Sequence, residues 1–306
     1  MALEGRRVTV RVPATSANLG PGFDTLGLAL GFYDELEVSV RSTPGATVQI
    51  VGVGEGTVPT DETNLIVRSM AYAFDKLGQK MPGVDLIARN NIPHGRGMGS
   101  SGAAIVSGIM AAKGLLAGVV DVTEDQLLQF ATDLEGHPDN VAPALFGGLT
   151  IAWTTPSGPR SKKLMVHRGV SPLVLVPEFT MSTELARSLQ PASVPHEDAI
   201  FNVSRSALLI AALTQSPELL WEATEDKLHQ NYRAEAMPET SMLIRELRAA
   251  GFAAVVSGAG PSILVLCSDP SARLRAAELV AQKQETPWHP HMLAVDFRGA
   301  TVTPSA

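Results

Sequence analysis

The sequence predicts an α+β protein of two domains, on three observations. The length of 306 residues fits two domains. Strand-like alternation over residues 8–53 gives way to capped, helix-periodic segments. After "TPSGPRSKK" at 155–163, strands and helices interleave again. That Pro/Gly/Ser/Lys stretch reads as a hairpin or an interdomain connection, so the expected division is 1–163 and 164–306.

Each element has a local reason. Val8-Thr9-Val10-Arg11-Val12 alternates as a half-buried strand does, and Val38, Val40, Val48, Ile50 and Val53 continue the pattern. Asn64 is placed to cap "LIVRSMAYAFDKLG", whose Ile66, Met70, Ala73, Phe74 and Leu77 share one face, with Gly78 as its stop. An apolar stretch, Val84-Asp85-Leu86-Ile87-Ala88, leads into a glycine-rich loop and then an alanine- and isoleucine-rich stretch. Thr123 and Gln126 form a capping-box pattern ahead of "LLQFATDLEG", which Gly136 ends. "GGLTIAWT" returns to strand. Further on come a strand at Leu173–Val176, helices over roughly 182–250, two strands around "SGAGP", a helix near 271–284 and a strand at Met292–Phe297.

Composition narrows the function. Hydrophobic residues make up 45% and charged residues 18%, enough apolar material for a sizeable core. The net charge is −7 and basic residues form no run, which argues against nucleic-acid or membrane-surface partners. The single cysteine, Cys267, lies in an apolar run and reads as a buried thiol. "MALEGRRVTV" lacks the apolar core of a signal peptide, and no apolar run reaches membrane-spanning length. The expectation is a cytoplasmic protein.

The loop "PHGRGMGSSGAA", residues 93–104, carries the chemistry. Glycines between a strand and a helix let backbone N–H groups approach an anion, and the helix start adds partial positive charge. Gly95, Gly97, Gly99 and Gly102 supply that freedom; Ser100 and Ser101 supply hydroxyls. No Gly-Lys-Ser/Thr follows, so this is not a P-loop. "GMGSSG" does satisfy G-x-G-x-x-G, and Asp121 stands about 20 residues on, where a dinucleotide-binding fold has its ribose acid. That fold needs further regular βα units, whereas here a capped helix and "EGHPDN" follow. Three more loops, "VRVPATSANLGPGFDTLGLAL", "EGHPDNVAPALFGG" and "SGAGPSILVL", are rich in small and polar residues and point to one composite site.

With these motifs the sequence resembles the GHMP kinase superfamily and, within it, the homoserine kinase branch. "PATSANLGPGFDTLGLAL", "PHGRGMGSSGAA", "EGHPDNVAPALFGG" and "SGAGPS" carry the resemblance. It implies an N-terminal sheet-and-helix domain with a left-handed βαβ crossover, and a ferredoxin-like C-terminal domain. It also implies ATP-dependent phosphorylation of the L-homoserine hydroxyl, a step toward threonine, with Mg²⁺ as cofactor and a homodimer as the assembly. The alternative is a GHMP kinase for another small alcohol, such as mevalonate or a sugar.

By the same resemblance, Pro93, His94, Gly95, Arg96, Gly97, Met98, Gly99, Ser100, Ser101, Gly102 and Ala103 wrap the ATP phosphates. Asn64 matches an adenine contact, although a plain helix cap explains it equally well. Ser101 matches a magnesium ligand. The second ligand position, a glutamate in many relatives, falls on Gln129 here, with Asp133 as another candidate; Mg²⁺ favours carboxylate and phosphate oxygens. Asn18, Asp24, His137, Arg187, Arg233 and Gly258 match homoserine-binding positions. His137, Asn140, Thr183 and Arg187 match positions that act in the transfer. A zwitterion needs a carboxylate for its ammonium and a guanidinium for its carboxylate; Asp24 suits the first, Arg187 and Arg233 the second. Each also has an ordinary reading: a solvated arginine, a turn-capping aspartate, a satisfied interior histidine. Several sister kinases have an aspartate as base where Asn140 stands, and an amide is no base at neutral pH. The resemblance therefore implies direct transfer, with Asn140 orienting the hydroxyl.

Overall fold

In the computed structural model, residues 3–282 and 286–305 are described. The first part runs β1 (Arg7–Ala17), β2 (Leu26–Arg41), β3 (Ala46–Gly52), α1 (Leu65–Lys76), β4 (Gly83–Asn90), α2 (Ser100–Leu115), α3 (Glu124–Glu135), α4 (Pro138–Phe146), β5 (Leu149–Thr155) and β6 (Gly158–Leu164). The local signals explain its helices. Asn64 caps α1 by accepting from the Ile66 amide, and the Thr123/Gln126 capping box starts α3, which ends on Gly136 in the left-handed region. β3 and β4 pair in parallel through α1, a βαβ crossover, while the other pairs in this sheet are antiparallel. The "TPSGPRSKK" stretch is a hairpin: β5 and β6 pair from Leu149–Leu164 to Thr155–Gly158.

The second part runs β7 (Ser171–Pro177), α5 (Thr183–Ser188), α6 (His196–Thr214), α7 (Leu220–Ala223), α8 (Pro238–Ala249), β8 (Ala253–Val256), β9 (Ile263–Cys267), α9 (Pro270–Ala281) and β10 (Trp288–Met292). The sheet order is β10-β7-β9-β8 and every pair is antiparallel. Numbered within this sheet, the strands stand fourth, first, third, second in a β-α-β-β-α-β chain, which is the ferredoxin-like arrangement. The helix expected near 271–284 forms at Pro270–Ala281; its last two expected positions lie outside the described residues. The strand expected at Met292–Phe297 forms earlier, at Trp288–Met292, because β7 offers its edge there from Pro177 to Leu173. Beyond it the chain crosses to the first sheet: Val295 bridges Leu30, and β11 (Thr301–Pro304) pairs with β1. The segment after residue 163 thus contributes strands to both sheets.

Strand periodicity explains why the two parts share a core. Leu173 and Leu175 of β7 pack with Leu243 and Leu247 of α8 and Ala276 of α9. The alternate residues Val174 and Val176 join the larger core with Leu209 and Leu213 of α6. A sheet covered on both faces needs continuous apolar strands, as in "LVLV" and "ILVLC". Cys267 lies in this layer, buried and unpaired, and burial pushes its thiol pKa up to about 11.

Candidate active site

Two cavities meet at the start of α2. One, of about 230 Å³, collects Asn18, Asp24, His137, Asn140, Thr183 and Arg187 with Arg233 and Gly258. The other, of about 240 Å³, is mostly apolar and includes Ile50, Val58, Asn64, Leu65 and His94. Ser100 and Ser101 line both. The structure therefore brings together the expected substrate set, and sets the expected adenine position on the far side of the glycine loop.

The loop is built by close backbone approach. Gly97 and Gly99 have φ of +72° and +73°, which L side chains rarely adopt. A Cβ on Gly97 would run into the Ser257 carbonyl, and one on Gly99 into the Thr15 hydroxyl. Ser257 Oγ donates to the Gly97 carbonyl at 2.6 Å and can accept from Ser16 Oγ at 2.8 Å, and the Thr15 amide donates to Met98 O at 3.1 Å. Gly99 precedes α2 with no side-chain cap, so the first-turn N–H groups are left for an outside acceptor.

Not every residue of the stretch faces the cavities. Gly95, Gly97, Gly99, Ser100 and Ser101 line the first, and His94 the second. Pro93, Arg96, Met98, Gly102 and Ala103 line neither. Met98 and Ala103 are fully buried, because their side chains anchor the loop in the core. Arg96 holds the loop to the second domain: its guanidinium donates to the carbonyls of Pro177, Glu178 and His94. Burial and the neighbouring Arg96 charge depress the His94 pKa. Asn64 caps α1 through Oδ1 and donates Nδ2 to Pro59 O at 2.7 Å while also lining the second cavity.

Gln129 does not stand beside Ser101. Its amide donates to Asp133 at 2.6 Å, and Asp133 also accepts from Tyr72 at 2.7 Å; neither residue lines the two cavities. The carboxylate at that place is Glu135, the last residue of α3, which accepts from Ser101 Oγ at 2.9 Å. Burial raises the Glu135 pKa against the opposing pull of His137 and the Ser101 hydrogen bond. The motif string "EGHPDN" begins with this residue, but as sequence it marked only a helix stop.

The charges of the substrate cavity are already matched in part. Arg187 donates to both oxygens of Asp24, at 2.9 and 3.4 Å. Asp24 (φ +53°) is held by Asn18, whose Oδ1 accepts from the Asp24 amide and whose Nδ2 donates to Gly258 O at 2.9 Å. Arg233 is only 2% exposed, donates to Gly258 O at 3.3 Å and lies over the Phe23 ring; its Nε has no partner among the described residues. Burial lowers its pKa, countered by the Asp24 charge. His137 Nδ1 bonds Asp139 at 2.5 Å. Burial would depress the His137 pKa, but the Asp139 hydrogen bond and charge, with Glu135, outweigh it and raise the value. Asn140 accepts from the Thr15 hydroxyl at 3.1 Å, so Thr15, which carries no sequence signal of its own, sets the amide's orientation.

Comparison with known proteins identifies the family. The family model of the GHMP kinases N terminal domain matches residues 64–148, and that of the GHMP kinases C terminal matches 205–284. The chain is 76% identical over 300 residues to a homoserine kinase of Leifsonia xyli subsp. xyli, covering 98% of this chain and 93% of that one. It is 49% identical over 306 residues to a homoserine kinase of Streptomyces avermitilis, covering 100% and 98%. The crystal structure of a homoserine kinase from Cytophaga hutchinsonii superposes with a TM-score of 0.87 at 26% identity, covering 99% of both chains. Among the described residues no dinucleotide-binding domain is formed: α2 leads into α3 and α4 rather than into a parallel strand. Fold, loops and relatives agree, and the chain belongs to the homoserine kinase family of the GHMP kinase superfamily.

Proposed function

We propose that this protein transfers the γ-phosphoryl group of ATP to the hydroxyl of L-homoserine in the cytoplasm, giving O-phospho-L-homoserine and ADP. One observation carries the reading: a glycine-built anion site at a helix start opens into the same cavity as Asp24, Arg187 and Arg233. Mevalonate offers a carboxylate to the arginines but no cation to Asp24, and a neutral sugar offers neither; an amino-acid zwitterion matches both signs.

In this reading the ATP phosphates lie on the amides from Gly95 to Ser101, with the α2 N-terminus adding partial positive charge. The adenine occupies the neighbouring apolar cavity beside Asn64. Asp24 takes the homoserine ammonium, and Arg187 and Arg233 its carboxylate. Asn18 and Gly258 position Asp24 and Arg233, and Thr183 stands one helical turn before Arg187 on α5. Asn140, oriented by Thr15, and His137, oriented by Asp139, direct the hydroxyl toward the γ-phosphorus. The hydroxyl oxygen forms the new P–O bond as the bond to ADP breaks, and its proton leaves to the transferred phosphate or to water. Phosphoryl transfer asks mainly for positioning and charge stabilisation, so no protein base is required.

Mg²⁺ fits the Ser101–Glu135 pair. Both offer hard oxygens, they stand 2.9 Å apart, and both line the substrate cavity. Among the described residues no group of three or more His, Cys, Asp or Glu is poised to hold a metal; ATP phosphate oxygens and water would supply the remaining ligands. The ion would neutralise phosphate charge there. An ADP-release assay with L-homoserine, L-threonine, L-serine and mevalonate tests the proposal; equal turnover of mevalonate would overturn it.

A further inference from the structure

We propose a second anion-binding site, remote from the reaction, that takes a small polyvalent anion bearing phosphate or carboxylate groups. It is a cavity of about 400 Å³ lined by Lys113, Arg160, Lys163 and Arg298, with Glu124 and Asp125 as its acidic members. Four cations against two carboxylates is the reverse of the chain's net charge of −7. Among the described residues, none of the four forms an ion pair with either acid.

The donors are only partly spent. Lys163 donates to Phe146 O at 2.7 Å, on the last residue of α4, and to Phe297 O. Arg160 uses one nitrogen on Pro159 O at 2.9 Å and another on Ser157 at 3.4 Å. The Lys113 ammonium and the Arg298 guanidinium donate no hydrogen bond among the described residues. Lys113 also faces the α2 C-terminus, whose partial negative charge accounts for one cation there. It does not account for Arg160 on a strand or Arg298 on a loop. Two forked guanidinium groups and two ammonium groups around one cavity suit a ligand with several anionic oxygens.

The cavity shares no lining residue with the candidate active site. α2, α3 and α4 each reach both sites. Ser101, Glu135 and Asn140 stand at the candidate active site, and Lys113, Glu124 and Phe146 at the second cavity. Along α2, Ser101 and Lys113 are about 18 Å apart at 1.5 Å rise per residue.

Calorimetric titration of the full chain with inorganic pyrophosphate and, separately, citrate tests the site. The comparison is with Lys113→Ala/Arg298→Ala; the difference between the two proteins isolates this cavity whatever the phosphate loop binds. We expect the double variant to lose at least about tenfold in affinity for one anion per chain. Its melting temperature and basal kinase turnover should stay unchanged. Glu124→Gln should tighten the same anion several-fold, a gain that misfolding does not produce. A response to pyrophosphate alone assigns a phosphate ligand, one to citrate alone a polycarboxylate, and one to both a site that reads charge number. Identical titrations of wild type and double variant with both anions overturn the proposal.

Discussion

Arg187 and Asp24, 163 residues apart in the chain, close a two-pronged ion pair inside the candidate substrate cavity. Their side chains are 42% and 40% exposed. An exposed pair contributes only about 0–1 kcal/mol. It therefore yields readily to a ligand that offers each partner a better one, and a zwitterion does so: ammonium to Asp24, carboxylate to Arg187. Without substrate, the pair keeps these two charges matched.

The first prediction follows. Losing one charge-assisted contact costs about 1.5–3 kcal/mol, so Arg187→Ala should raise the homoserine KM about 10- to 150-fold. The ATP KM and the melting temperature should change little. Arg187→Lys should rescue poorly, since an ammonium lacks the planar fork. With 3-aminopropanol, which lacks the carboxylate, Arg187→Ala and wild type should be equally poor. A rise in ATP KM with homoserine KM unchanged would reassign Arg187 to the nucleotide.

The second concerns the metal. Glu135→Gln keeps size but removes the carboxylate beside Ser101, and should shift the Mg²⁺ dependence of turnover to higher concentration. Gln129→Glu should leave that dependence unchanged, because Gln129 bonds Asp133 away from both cavities. Parallel Mg²⁺ titrations of the two variants decide; the opposite pattern would restore Gln129 as the ligand.

What could be read from the chain alone was mostly local. The Asn64 cap, the Thr123/Gln126 capping box and the glycine loop each depend on neighbours within a few residues, and all three form. Glu135 was not legible as the partner of Ser101, because that contact joins the ends of two helices 34 residues apart. The resemblance instead pointed to Gln129, which lies on a different face of the same helix. Thr15 acts through contacts to Gly99 and Asn140, which no pattern within β1 reveals. β10 was misplaced because it is an edge strand with little burial, "WHPHM", and so carries no apolar alternation. β11 pairs with β1 across nearly the whole chain, a contact outside the range of any periodicity.

The third prediction separates two glycines of the phosphate loop. Gly99 has φ +73°, and a side chain there would meet Thr15. Gly99→Ala should therefore lose about 1–3 kcal/mol of stability along with ATP binding. At Gly102 a Cβ would make only ordinary contacts, 3.5 Å to Val141 and 3.6 Å to Asn140. Gly102→Ala should fold normally and keep ATP affinity. Chemical denaturation and nucleotide titration of both variants check this; equal damage at the two sites would mean that bulk, not backbone geometry, governs the loop.

The last prediction concerns pH. Asp34 is 8% exposed, and its Oδ1 accepts from the amides of Asn91 at 2.7 Å and Ile92 at 2.9 Å. Burial raises its pKa from 3.8 to about 6, although those two hydrogen bonds pull the other way. Between these values the folded chain keeps a proton that the unfolded chain has released. The fold binds more protons there, so the Asp34 contribution to stability falls as pH rises. It is most favourable below about pH 4 and is lost by about pH 6, above which the charged carboxylate costs the fold up to about 3 kcal/mol. Asn in its place offers a neutral oxygen to the same two amides. Asp34→Asn should raise stability at pH 7 and leave it nearly unchanged at pH 4. The difference between wild type and variant should open between those two values, measured by urea unfolding at half-unit steps. A variant less stable than wild type at pH 7 would show that the charged carboxylate is a net stabiliser of the Asn91–Ile92 turn.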